Sequence, residues 1–247
     1  IMLPELTFPY LIPGQEVLLD DGKIHLKIVE KAENVTENGG ENTQEKRYFA
    51  KVLWGGLLKS RKSAALPGAK IYPPTLTNSD LANIKIANEM GVTGVMQPFV
   101  RDHSDLERVK EVLREAGAED IRLFAKIENM DGVRKLEKLL PAADEIVIAR
   151  GDLGNAVHLW DLPGVQRQIS EKCRAAGKPF MVVTQMLASM ERSPVPTRAE
   201  VNDIFHAVMD GAASIMVTGE TAVGDYPVEV IRYMVNTVRS AEKEENR

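Results

Sequence analysis

An apolar run, Glu16-Val-Leu-Leu-Asp20, is followed by the alternating Lys23-Ile-His-Leu-Lys-Ile28, with Asp21-Gly22 between the two. A period of two marks strands with one buried face, and Asp-Gly between such runs predicts a hairpin. Residues 34–46 are polar and rich in Gly and Asn, which predicts a loop, and Tyr48–Leu53 reads as a further strand. Leu66-Pro-Gly68 and Pro73-Pro74 then punctuate the chain. Residues 1–70 are thus expected to form a small all-β domain.

From residue 78 the pattern changes to helices alternating with short apolar runs. Ser104-Asp-Leu-Glu107 predicts a capping box opening a helix with Leu106, Val109, Val112, Leu113 and Ala116 on one face and Gly117 as its stop. Val165, Ile169, Cys173 and Ala176 make the apolar stripe of a second helix ending at Gly177. Thr197-Arg-Ala-Glu200 predicts another capping box, ahead of Val201, Ile204 and Val208. Five apolar strands lie among these helices: Gly94–Met96, Arg122–Ile127, Glu145–Ala149, Pro179–Thr184 and Ala213–Thr218. Such strands with crossover helices predict a parallel sheet buried on both faces. The expected class over residues 71–247 is α/β of the (β/α)8 TIM-barrel type, present as about five β/α units where closure takes eight.

Composition narrows the function. The 247 residues are 44% hydrophobic and 27% charged, ordinary for a soluble globular chain with a real core. A net charge of −5 offers no general attraction to nucleic acid or to an anionic membrane, so neither is an expected partner. The single cysteine, Cys173, excludes an internal disulfide and fits a reducing cytoplasm. No signal-peptide pattern and no apolar run near the roughly 20 residues of a membrane helix occur.

The chemistry gathers at strand C-termini, where the βα loops of a barrel converge. Four successive strands run into Lys126-Ile-Glu128-Asn129, Arg150-Gly151-Asp152-Leu-Gly154, Thr184-Gln185 and Thr218-Gly-Glu220-Thr221. Glu128 and Asp152 end adjacent strands, and without a Cys/His cluster an all-oxygen site suits Mg²⁺ or Mn²⁺. The competing reading makes each carboxylate a helix cap. Lys126 stands two residues before Glu128, on the same strand face, as phosphoryl or enolate stabilisation requires. Charge-pairing with Glu128 alone is the plainer role. Gly151 and its neighbours form a turn whose amides can meet an anion, although many βα turns carry glycine for geometry. Thr184 offers a hydroxyl or a cap. Lys59, Arg61 and Lys62 can meet nucleotide phosphates, but solvated surface is the commoner fate of such a cluster. His25, His103, His158 and His206 have no metal spacing or nucleophile partner.

At these residues the sequence closely resembles the pyruvate kinases. The matching stretches are Lys126-Ile-Glu-Asn129, Ala149-Arg-Gly-Asp-Leu-Gly154, Thr184-Gln-Met-Leu187, Pro196-Thr-Arg-Ala-Glu200 and Gly219-Glu-Thr-Ala222 with Gly224-Asp-Tyr-Pro227. The resemblance implies a phosphotransferase of glycolysis that moves a phosphoryl group from phosphoenolpyruvate to ADP, giving pyruvate and ATP. It implies that Glu128 and Asp152 hold Mg²⁺ or Mn²⁺. Lys126, Thr184 and Arg150 are then catalytic, and Gly151, Asp152 and Thr184 hold the substrate carboxylate. Lys59 and Lys62 would contact the nucleotide, K⁺ would bind in the complete protein, and the small β-domain would be a lid. A homo-oligomer is a further expectation. The family's first three barrel strands and its C-terminal domain have no counterpart here, so the chain is expected to be an incomplete, inactive fragment. Met96-Gln-Pro-Phe99 places Pro98 where the family usually carries serine, and Thr218 replaces another serine. Two alternatives remain open: a metal-dependent lyase or aldolase acting on a pyruvate enolate, and a catalytically inactive binding protein.

Overall fold

A computed structural model describes residues 1–20, 22–32, 46–60 and 62–245. The expected loop at 34–46 lies outside these except for Lys46, as do Asp21 of the expected turn and Arg61 of the basic cluster. The chain divides into two compact units, Ile1–Pro74 and Thr75–Arg247.

In the first unit, β1 (Glu16–Leu19), β2 (Ile24–Lys31), β3 (Tyr48–Trp54) and β4 (Ala64–Ala65) form an antiparallel sheet in the order β3-β2-β1-β4. The hairpin closes with Leu19 opposite Ile24. Asp20 (φ 49°) and Gly22 (φ 83°) both take left-handed backbone where the chain turns, a region that aspartate and glycine enter more readily than other residues. Val17, Leu19, Ile24 and Ile28 point inward and pack with Leu11 and Leu66. The unit is not purely β: Glu5–Tyr10 forms a 3₁₀ helix, which the alternation pattern does not reveal.

The second unit is an α/β layer. Its strands are β5 (Gly94–Gln97), β6 (Arg122–Ile127), β7 (Glu145–Ala149), β8 (Phe180–Val183) and β9 (Ser214–Met216), all parallel and in sequential order. Its main helices are α1 (Asn78–Ala87), α2 (His103–Glu115), α3 (Met130–Arg134), α4 (Leu136–Leu139), α5 (Arg150–Ala156), α6 (Leu162–Ala175), α7 (Arg198–Met209), α8 (Gly219–Ala222) and α9 (Pro227–Glu245). Leu123, Ala125 and Ile127 of β6, Ile146 and Ile148 of β7, and Phe180 and Val182 of β8 pack against these helices in one large core. The alternate residues face the other side, where Val147, Ala149 and Val183 meet the partly buried Phe124, Met181 and Met216. Both faces are therefore largely apolar, most completely at the central β7, which is buried throughout. Of the expected barrel type, the α/β class and five parallel strands are present. Among the described residues they form an open sheet with β5 and β9 at its edges, and no closed barrel.

Strand ends differ from expectation for local reasons. β8 starts after Pro179, which has no N–H to give, and stops before Thr184, whose left-handed backbone cannot continue the ladder. The capping box of α7 forms as expected, with Thr197 and Glu200 exchanging side-chain and backbone hydrogen bonds. That of α2 does not. The N-cap is Asp102, whose Oδ1 accepts the Ser104 N–H at 3.0 Å, and Ser104 lies inside the first turn. An extended Asp102 carboxylate is the stronger acceptor for the helix N-terminus, which leaves Glu107 to reach His103 at 3.6 Å.

Candidate active site at the strand C-termini

Lys126 and Glu128 share the face of β6 that carries Phe124, two residues apart, as strand geometry demands. The Lys126 Nζ lies 2.7 Å from Glu128 Oε1, with the lysine side chain 25% exposed and the glutamate 2%. The second oxygen, Oε2, accepts the backbone N–H of Phe99 at 2.7 Å. Phe99 achieves this by adopting a left-handed φ of 51° just past β5. Asn129 caps α3 by accepting the Gly132 N–H at 2.9 Å, and its amide donates to the Val100 carbonyl at 3.1 Å. A Cβ on Gly132 would fall 2.6 Å from that same carbonyl, so only glycine fits. The ends of β5 and β6 are thus stitched together around the Glu128 carboxylate.

At the end of β7, Arg150, Gly151 and Asp152 make the first turn of α5, with Asp152 half-buried. A Cβ added to Gly151 would stand 3.0 Å from Thr184 Cγ2 and 3.6 Å from its Oγ1. The Thr184 side chain therefore lies directly over the Gly151 backbone, which brings together two of the residues expected to hold a carboxylate. Thr184 (φ 79°) and Gln185 (φ 55°) are consecutive left-handed residues. For a β-branched side chain this is a rare conformation, costing about 1–3 kcal/mol, and it persists only where neighbours enforce it. Past β9, Glu220 is buried; its two oxygens accept the Leu187 N–H at 3.2 Å and the Thr218 N–H at 2.8 Å, tying the β8 and β9 loops together.

Arg150 sits differently from the other expected residues. Its side chain is 13% exposed and its guanidinium reaches Asp203 on α7, the carbonyls of Val183 and Thr184, and the Met186 sulfur. Sequence reading does not find Asp203, which lies 53 residues from Arg150 and in no motif with it. Phe99 is missed too, because its contribution is a backbone amide. In the first unit, Lys62 lies 2.9 Å from Asp20, and hydrogen bonding from that ammonium helps hold the Asp20 carboxyl below its ordinary range. Lys59 is exposed.

No group of three or more His, Cys, Asp or Glu gathers among the described residues. The donors at the strand ends are instead two carboxylates, Glu128 just beyond β6 and Asp152 in the first turn of α5 after β7, the two strands being paired through Ile127 and Ile148. Glu128 has one hydrogen-bond donor on each oxygen and keeps further lone pairs for a cation. That donor set fits Mg²⁺ or Mn²⁺, hard ions that take one or two carboxylates and complete their shells with substrate and water. No helix among the described residues is long and apolar enough to cross a membrane.

Residues 6–231 match the family profile for the pyruvate kinase barrel domain. The pyruvate kinase of Bacillus licheniformis is 38% identical over 230 residues, covering 93% of this chain and 38% of the relative. That of Geobacillus stearothermophilus is 40% identical over 232 residues, 92% of this chain and 38% of the relative. That of Chlamydia trachomatis serovar D is 35% identical over 242 residues, 98% of this chain and 47% of the relative. The chain thus spans between 38% and 47% of the length of these relatives.

Proposed function

The chain belongs to the pyruvate kinase family, and from that premise we propose that it carries the phosphoryl-transfer site of an enzyme acting on phosphoenolpyruvate and ADP. The observation that carries this reading is the Lys126–Glu128 pair at the end of β6, 2.7 Å apart and braced by the Phe99 amide. Glu128 and Asp152 would hold Mg²⁺ or Mn²⁺, which when bound supplies positive charge to the phosphoryl oxygens and to the enolate left behind. The Gly151 backbone, the Asp152 amide and the Thr184 hydroxyl hold the substrate carboxylate, so the reacting group is fixed relative to Lys126. The Lys126 ammonium then meets charge that grows in the transition state, where a preorganised cation acts most strongly. Thr184 lies on the path of the proton that converts enolpyruvate to pyruvate. Such chemistry is positioning and charge stabilisation, the usual requirements of phosphoryl transfer. Lys59 and Lys62 are the candidate nucleotide contacts, the first unit acts as a lid, and K⁺ is a further cofactor of the complete protein. The place of action is the cytoplasm, within glycolysis, as a homo-oligomer.

The test is pyruvate formation by the full-length encoded protein in a lactate dehydrogenase-coupled assay. Turnover that requires both ADP and a divalent cation supports the reading. Pyruvate release without ADP would point to the lyase chemistry instead, and metal binding without any turnover to a binding protein.

A further inference from the structure

Arg150 spends its donors on the protein. Nη1 lies 2.8 and 2.7 Å from the two carboxylate oxygens of Asp203, Nη2 donates to the Thr184 carbonyl at 2.7 Å and approaches the Met186 sulfur at 2.8 Å, and Nε donates to the Val183 carbonyl at 3.3 Å. The two carbonyls so held flank the point where β8 ends and the backbone turns left-handed at Thr184 and Gln185. That turn carries the Thr184 side chain over the Gly151 backbone. A conformation so uncommon for threonine needs an outside constraint, and the guanidinium bonded to the Thr184 carbonyl is one. Asp203 fixes the guanidinium in turn. It sits on α7, whose Glu200 also accepts the Ser189 N–H and hydroxyl at 2.7 and 2.6 Å, so one helix anchors both ends of the segment after β8.

We propose that Arg150 and Asp203 form a positioning pair that holds Thr184 in its working conformation, so that Arg150 acts through Thr184 rather than on the substrate. This rests on the reading above only in that Thr184 serves the phosphoenolpyruvate carboxylate and the proton path. Lysine cannot replace Arg150, because a single ammonium cannot meet a carboxylate and two strand-end carbonyls along the diverging directions of a guanidinium.

A double-mutant cycle in the full-length encoded protein tests the pair. Asp203→Asn should lower kcat by about tenfold or more, the scale of loss from a misplaced reacting group. In a Thr184→Ala background the same substitution should change kcat less than about twofold, because its effect passes through the missing side chain. Arg150→Lys should behave as Asp203→Asn and give no rescue. Equal fold losses in both backgrounds would overturn the proposal, as would normal kcat in Arg150→Lys. A second arm needs no turnover: amide hydrogen exchange over residues 183–190 should quicken selectively in Asp203→Asn, with the sheet strands β6 and β7 unchanged. Unaltered exchange there also overturns it. A wild-type protein without turnover refutes the phosphotransferase reading alone, and the exchange arm still decides the positioning pair.

Discussion

Lys126 has two charge relationships that predict different mutants. Its ammonium lies 2.7 Å from Glu128 Oε1, which alone would make it a structural partner of a buried acid. It is also 25% exposed at a strand end, where it can meet a bound anion. If the second role governs, Lys126→Met lowers kcat by about 10²–10³, typical of losing one preorganised electrostatic stabiliser. KM for phosphoenolpyruvate should move far less, because under the proposed function the Gly151 backbone and the metal held by Glu128 and Asp152 would hold the ground state. Removing a cation from beside Glu128 should leave divalent-metal affinity equal or higher. If the pairing role governs, the variant melts at a lower temperature while turnover per folded molecule stays near normal. Steady-state kinetics and thermal melts on one preparation separate the two.

Helix α2 shows how an element is secured and how far its sequence announces it. Asp105, in its first turn, is buried, which opposes ionisation. Hydrogen bonds from Arg101 and Thr75 outweigh that penalty and hold the carboxyl at about 2. A depressed folded value means that the ionised form stabilises the native state fully above the ordinary aspartate range near 3.8, and that this stability fades as pH falls towards about 2. Asp105→Asn should therefore cost about 1–2 kcal/mol at neutral pH, and the gap between variant and wild type should close between pH 4 and pH 2. Denaturant melts across that range measure it, and a gap independent of pH would contradict the assignment. The sequence shows the apolar stripe of this helix and its stop at Gly117, which takes a φ of 64°. It misplaces the start at Ser104, because the observed cap, Asp102, is set by an extended backbone that sequence pattern does not reveal. For α7, Thr197 and Glu200 have no rival cap, and reading and structure agree. The 3₁₀ helix at Glu5–Tyr10 and the two-residue β4 are too short to leave a periodic trace.

At the scale of the whole molecule, five strands in sequential parallel order were legible because each carries a short apolar run, buried on both faces at the central β7 and half-buried at the edge strands β5 and β9. Their clustering of polar residues at one end was equally legible, since parallel strands bring every C-terminus to the same edge. Contacts between distant segments were not: the Phe99 amide on Glu128, the Glu220 bridge between two loops and the Arg150–Asp203 pair depend on how strands and helices stack. Under the proposed function, Glu128 beyond β6 and Asp152 beyond β7 would hold the cation. The most direct measurement is Mn²⁺ binding to the full-length encoded protein, followed by electron paramagnetic resonance. The account predicts binding by the wild type and its loss in the Glu128→Gln/Asp152→Asn double variant, with an unchanged circular dichroism spectrum. Unchanged Mn²⁺ affinity in a folded double variant would contradict it.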